Sequence, residues 1–135
     1  MGPKPPQPLV AAFLVCREIF KDQRTNEFIL VGPCPRFALN MFPVQFRLSI
    51  YVRLVGGHGT YDLAVELRDA EGNPQGKCVG SYPVPQTDPL VGHHVAWNDI
   101  SIGLQAPGDF DLVLLVNGEI LAHHPLQFVR QQPNT

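Results

Sequence analysis

Apolar residues recur at every second position through the middle of this 135-residue chain, and that period decides how the rest is read. From Thr60 to Arg68, Tyr61, Leu63, Val65 and Leu67 fall on one side, while Asp62, Ala64, Glu66 and Arg68 fall on the other. Successive side chains of a strand point to opposite faces, so a strand gathers this pattern into one apolar face, whereas a helix would scatter it. Just upstream, Phe46, Leu48, Ile50, Val52 and Leu54 alternate with Arg47, Ser49, Tyr51 and Arg53 in the same way. Gly56-Gly57-His58-Gly59 separates the two runs. These glycines can supply the positive φ of a tight reversal, so the pair reads as a central hairpin.

The remaining elements follow from the same period and from its interruptions. Leu9 to Phe20 reads as a first strand, and Glu27 to Val31 as a short second one across the polar turn Asp22 to Asn26. Pro33, Pro35 and Pro43 bar a central strand between Gly32 and Pro43. That segment reads as an irregular crossing that still directs Phe37, Leu39 and Phe42 into the core. Glu71-Gly72-Asn73-Pro74 is a turn before a weaker strand around Gly76 to Pro83, and Pro85 to Gly92 is a long loop. Val95 to Leu104 resumes the alternation. Phe110 to Val116 is almost continuously apolar, the mark of a strand buried on both faces. Asn117-Gly118 is the two-residue signature of a type I′ hairpin. The final strand, Glu119 to Val129, contains Pro125 and so reads as an edge strand or a bulged one.

These elements define an all-β domain. The expected architecture is a two-layer antiparallel β-sandwich of seven or eight strands, immunoglobulin-like or C2-like, over residues 9–129. A proline-rich arm (1–8) precedes it and a polar tail (130–135) follows. Composition agrees: fourteen prolines and twelve glycines, scattered singly between apolar runs, are the punctuation of a turn-rich β protein. No internal repeat is visible.

Charge and cysteine content narrow the function. A net charge of −2, with the densest cations (Arg17, Lys21, Arg24) interleaved with Glu18 and Asp22, leaves no basic stripe for nucleic acid. No apolar run approaches the roughly 18 residues of a membrane helix. Leu9 to Val15 runs straight into Cys16-Arg17-Glu18, without the small-residue cleavage site of a signal peptide. Three cysteines (Cys16, Cys34, Cys78) at wide spacing form neither a disulfide framework nor a zinc pattern. They read as buried free thiols in a reducing, cytoplasmic protein.

Candidate chemistry is sparse. The pairs His93-His94 and His123-His124, with His58, invite a metal, but neighbouring side chains on a strand diverge, so each pair can offer one ring at most. Cys16 and Cys78 lie in predicted strands and Cys34 between prolines, with no helix to activate a thiolate. None of the three serines sits in a G-x-S-x-G elbow. Asp22, Asp69, Asp88, Asp109 and Asp111 lie at or near turns, without the dense spacing of a calcium cage. Trp97 and Tyr82 flank the loop beside His93 and His94, a set that could stack a sugar ring or anchor a protein.

The sequence also resembles an uncharacterised bacterial family, a domain of unknown function of about this length, over roughly residues 10–129. The likeness lies in Cys16-Arg17-Glu18, Phe28-Ile29-Leu30-Val31-Gly32, Phe42-Pro43 and Gly56-Gly57-His58-Gly59-Thr60-Tyr61. It continues in Arg68-Asp69-Ala70-Glu71-Gly72, Pro107-Gly108-Asp109-Phe110 and Val116-Asn117-Gly118. The resemblance implies a β-sandwich and carries no activity.

The resulting expectation is a non-catalytic interaction or structural module without metal or cofactor. It would associate with a protein partner or with itself, through sheet edges such as Glu119 to Val129 and through the N-terminal arm. The alternative is a small-ligand or carbohydrate site at Trp97, Tyr82, His93 and His94. A metal-dependent enzyme ranks third.

Overall fold

The structure, a computed structural model, describes residues 8–32, 36–56, 59–84 and 93–131, with the backbone alone at 59, 76–84, 93 and 99. Most of the expected arm and tail, the Pro85 to Gly92 loop, His58 and Cys34 therefore lie outside the described residues. Ten strands are present among the described residues: β1 (Leu9–Cys16), β2 (Glu18–Lys21), β3 (Phe28–Val31), β4 (Arg36–Leu39), β5 (Val44–Val55), β6 (Gly59–Arg68), β7 (Pro74–Val84), β8 (His93–Leu104), β9 (Gly108–Val116) and β10 (Glu119–Arg130). No helix occurs among the described residues, and so none is long and apolar enough to cross a membrane.

Two sheets face each other, as the alternating patterns require. One has three strands in the order β1-β5-β8, and the other has five in the order β4-β10-β9-β6-β7. The inward residues of both close a single core: Leu48, Ile50, Val52 and Leu54 from β5 meet Tyr61, Leu63, Val65 and Leu67 from β6 and Leu112, Leu114 and Val116 from β9. At one end Phe128 stacks on Phe37, with centroids 5.6 Å apart and planes 18° from parallel. The Phe46 and Phe110 rings pack edge-on to Phe128 at 5.6 Å. Aromatic pairs in these geometries add to what burial alone contributes.

Four expectations are corrected. The central hairpin does not exist: β5 pairs with β1 and β8, and β6 with β7 and β9, so the chain crosses from one sheet to the other after Gly56. Alternation fixes which side faces the core, and both strands do face it, but it is silent about which strand lies alongside. The single first strand is broken in two at Arg17, where the chain leaves the small sheet. β10 is an edge only as far as Leu126, because β4 pairs with it in parallel from Arg36↔Gln127 to Leu39↔Arg130. Pro125 is tolerated there, since β4 reaches only as far as Gln127 and leaves Pro125 paired to Asp111 alone. The strand count among the described residues is ten instead of seven or eight, because the expected first strand divides into β1 and β2, and β4, four residues long, is too short to show a period.

The Asn117-Gly118 turn is as expected. Both residues have positive φ (50° and 83°) between the partners Val116 and Glu119. Asn117 fastens this turn to β6: its Oδ1 accepts from Asp62 N at 2.9 Å, and its N–H donates to Asp62 O at 2.8 Å.

Candidate functional site

Two surfaces stand out once the core is accounted for. The first is the ribbon formed by β2 and β3, which joins neither main sheet. It lies against the outer side of the three-stranded sheet, where β2 packs on β5 and β8 and Asn98 Oδ1 accepts from Ile19 N at 3.2 Å. Beneath it Cys16 and Ser49 are buried at 0% and 1% exposure although neither belongs to the main core. Phe28 on its underside touches the Tyr51 and His94 rings at 5.7 Å each, the Tyr51 hydroxyl is hydrogen-bonded to His94 Nδ1, and Lys21 lies over the Phe28 ring. Burial pushes the Tyr51 phenol up, against a smaller opposing pull from the Arg53 cation. Burial likewise pushes the Cys16 thiol up. That is the reverse of what a nucleophilic cysteine needs.

The ribbon's other side is apolar and open. Phe20 and Ile29 sit opposite one another and are 52% and 47% exposed, with Val31 at 40% beside them. Among the described residues β3 pairs with no strand but β2.

The second surface is a groove of about 450 Å³ across the outer side of the five-stranded sheet, where Arg68, Asp109, Asp111, Val113, Ile120 and His123 come together. Val113 forms its floor and is buried, though it points away from the core. Ile120 is exposed beside it. On the rim, Arg68 Nε pairs with Glu66 Oε1 at 2.7 Å, and His123 Nδ1 lies 3.4 Å from Asp111 Oδ1. Gln127 Nε2 donates to Asp109 Oδ1 at 3.1 Å. Sequence reasoning singled out none of these as a set. The signal lay in a cross-strand register that only the hairpin β9–β10 reveals.

The residues expected to form a ligand site are divided by β8. Trp97 is half-buried and packs against the core, whereas His94 is exposed on the opposite side with Tyr51. A bulge in the β5–β8 ladder, after Leu48 and before Ile50, keeps both Trp97 and Ile100 facing inward. The backbone of Tyr82 lies opposite Tyr61 in β7, and that of His93 opposite Leu54 in β8; their side chains lie outside the described residues. Of the turn aspartates, Asp22 and Asp69 cap their own loops. Asp22 Oδ1 accepts from Arg24 N at 2.9 Å, and Asp69 Oδ1 accepts from Glu71 N and Asn73 N at 3.0 and 2.9 Å. Among the described residues no three His, Cys, Asp or Glu side chains converge as a metal site would require.

The fold and these surfaces define a β-sandwich with a covering ribbon on one side and an open sheet on the other. The chain belongs to a family of unknown function, DUF6941, whose model matches residues 11–129. No curated protein matches it.

Proposed function

We propose that the chain is a non-catalytic interaction module that pairs with a second copy of itself along β3. The observation that carries this is the make-up of that edge. Phe28-Ile29-Leu30-Val31 holds no charge, no proline and no bulge, the devices with which sheets commonly protect an edge from strand addition.

Hydrogen-bond parity favours the same strand. Residues of an antiparallel ladder turn their backbone groups to alternate sides. Asp22 N donates to Glu27 O, so Glu27, Ile29 and Val31 bond toward β2, and Phe28 and Leu30 present N–H and C=O to the free edge. A second β3, related by a two-fold axis normal to the ribbon at Ile29, sets each Phe28 opposite the other Leu30. That contact is isologous and closes at two copies. The ribbon and its flanks carry Arg17, Lys21 and Arg24 against Glu18, Asp22 and Glu27. Three cations balance three anions, so two copies meet without net repulsion. Two four-residue edges bury less than the roughly 1,200 Å² of stable interfaces, which makes the association weak and concentration-dependent.

Sedimentation velocity over a concentration series tests the reading. The wild type is expected to shift from monomer toward dimer as concentration rises, and Ile29→Lys, at an exposed position, to remain monomeric with an unchanged circular dichroism spectrum. A wild type that stays monomeric throughout, or an Ile29→Lys variant that dimerises equally well, refutes it.

A further inference from the structure

The groove on the five-stranded sheet is independent of the ribbon, and the geometry points to a protein segment presenting an arginine or lysine beside an aliphatic side chain as its occupant. The shape comes first. Outward-facing Val113 is buried in the floor while Ile120, opposite Leu115 on β10 and in the same lining, is exposed. Neighbouring apolar positions of which one is covered and the other is bare form a shelf that one aliphatic side chain can complete. The volume, about 450 Å³, is in the range of pockets that hold a ligand of a few side chains.

Charge then selects the companion. Asp109 and Asp111 come from β9, Asp69 from the turn after β6, and the nearest cation, Arg68, is already held by Glu66 on the same strand. Four carboxylates thus stand against one guanidinium. Asp69 and Asp109 accept from neutral donors only in the contacts described, so their charge is not cancelled. A guanidinium or ammonium lying over Asp109 and Asp111, with its aliphatic stem along Ile120, satisfies both halves of the lining. An anionic segment meets net repulsion here, and a wholly apolar one leaves the carboxylates without compensation.

His123 stands on the same rim, its Nδ1 beside Asp111. The charged groups facing it are Asp111 and Asp109 from β9, Arg68 with its partner Glu66 from β6, and Asp69 from the adjoining turn.

The probe is a short capped peptide of leucine and arginine, compared with the same peptide carrying citrulline for arginine and with arginine amide alone. Binding is read from amide shifts in ¹⁵N-labelled protein. Shifts are expected at Arg68, Asp109 to Val113 and Ile120 to His123. Affinity should drop about tenfold in Asp109→Asn/Asp111→Asn, the loss of two partly exposed ion pairs. Equal binding of the citrulline peptide, arginine amide binding as tightly as the peptide, shifts that map elsewhere, or no shifts at all would each overturn the inference. Dimerisation is followed in parallel on Ile29→Lys, so a failure of one surface is not mistaken for a failure of the other.

Discussion

The three-stranded sheet has the core on one side and the β2–β3 ribbon over part of the other, whereas among the described residues no element covers the outer side of the five-stranded sheet. The difference is visible in single residues. Ser49 and Cys16 lie on the outer side of the small sheet and are almost fully buried, while Ile120 on the outer side of the large one is 53% exposed. A strand face turned outward is free to be polar, and on β6 it is, with Asp62, Glu66 and Arg68. On β9 it is so only at Asp109 and Asp111, after which Val113 and Leu115 continue the apolar run outward. The small sheet has met this demand for cover from its own chain. The large sheet has met it only in part, at Val113, and the shelf left at Ile120 is where a partner has something to gain.

Three substitutions bracket this contrast. The greatest loss is expected in the core both sheets share: Phe128→Ala, fully buried among Phe37, Phe46 and Phe110, should cost about 3–5 kcal/mol in denaturant unfolding. If it costs no more than a surface change, the two sheets are not packed on one another as described. The contrast itself is read from a matched pair of isoleucines. Ile19, 5% exposed under the ribbon, should lose about 2 kcal/mol on truncation to alanine, and Ile120 on the open face less than about 0.5 kcal/mol. Equal losses would mean that the ribbon contributes no more cover than solvent does.

The smallest effect is a pH dependence. Burial raises the Cys16 thiol above its ordinary 9.0. A group with a raised folded value stabilises the fold fully below its unfolded value and loses that contribution as pH rises through the folded one. Stability should thus decline as the pH climbs above about 9, and Cys16→Ala should flatten that decline in equilibrium unfolding measured at successive pH values.

How far the sequence discloses this molecule depends on which question is asked of it. Side-chain facing is legible wherever a strand exceeds about eight residues: Tyr61, Leu63, Val65 and Leu67 are all buried, as their spacing requires. Partner choice is not, and the long strands β5 and β6, adjacent in sequence and joined by glycines, end in different sheets. The glycine at 56 does adopt positive φ (77°). The conformation was correctly anticipated, and the inference from it to pairing was what failed. Phe37 and Leu39 point to the core from β4 even though flanking prolines argue against a strand, because an edge position needs only one set of backbone hydrogen bonds. The groove escaped notice for a different reason. Asp111 and His123 are twelve positions apart, and only the β9–β10 register, bulged between Ile120 and Ala122, brings them together.

The parallel pairing of β4 with β10 has a consequence for how the chain is made. β4 leaves the ribosome about ninety residues ahead of its sole strand partner among the described residues. At roughly 5–20 residues per second it waits several seconds for that partner. Throughout that interval Phe37 lacks Phe128 to stack on. A nascent chain stalled short of residue 127 is therefore a natural client for holdase chaperones, and a product truncated there should accumulate in inclusion bodies instead of folding as a slightly shorter sandwich.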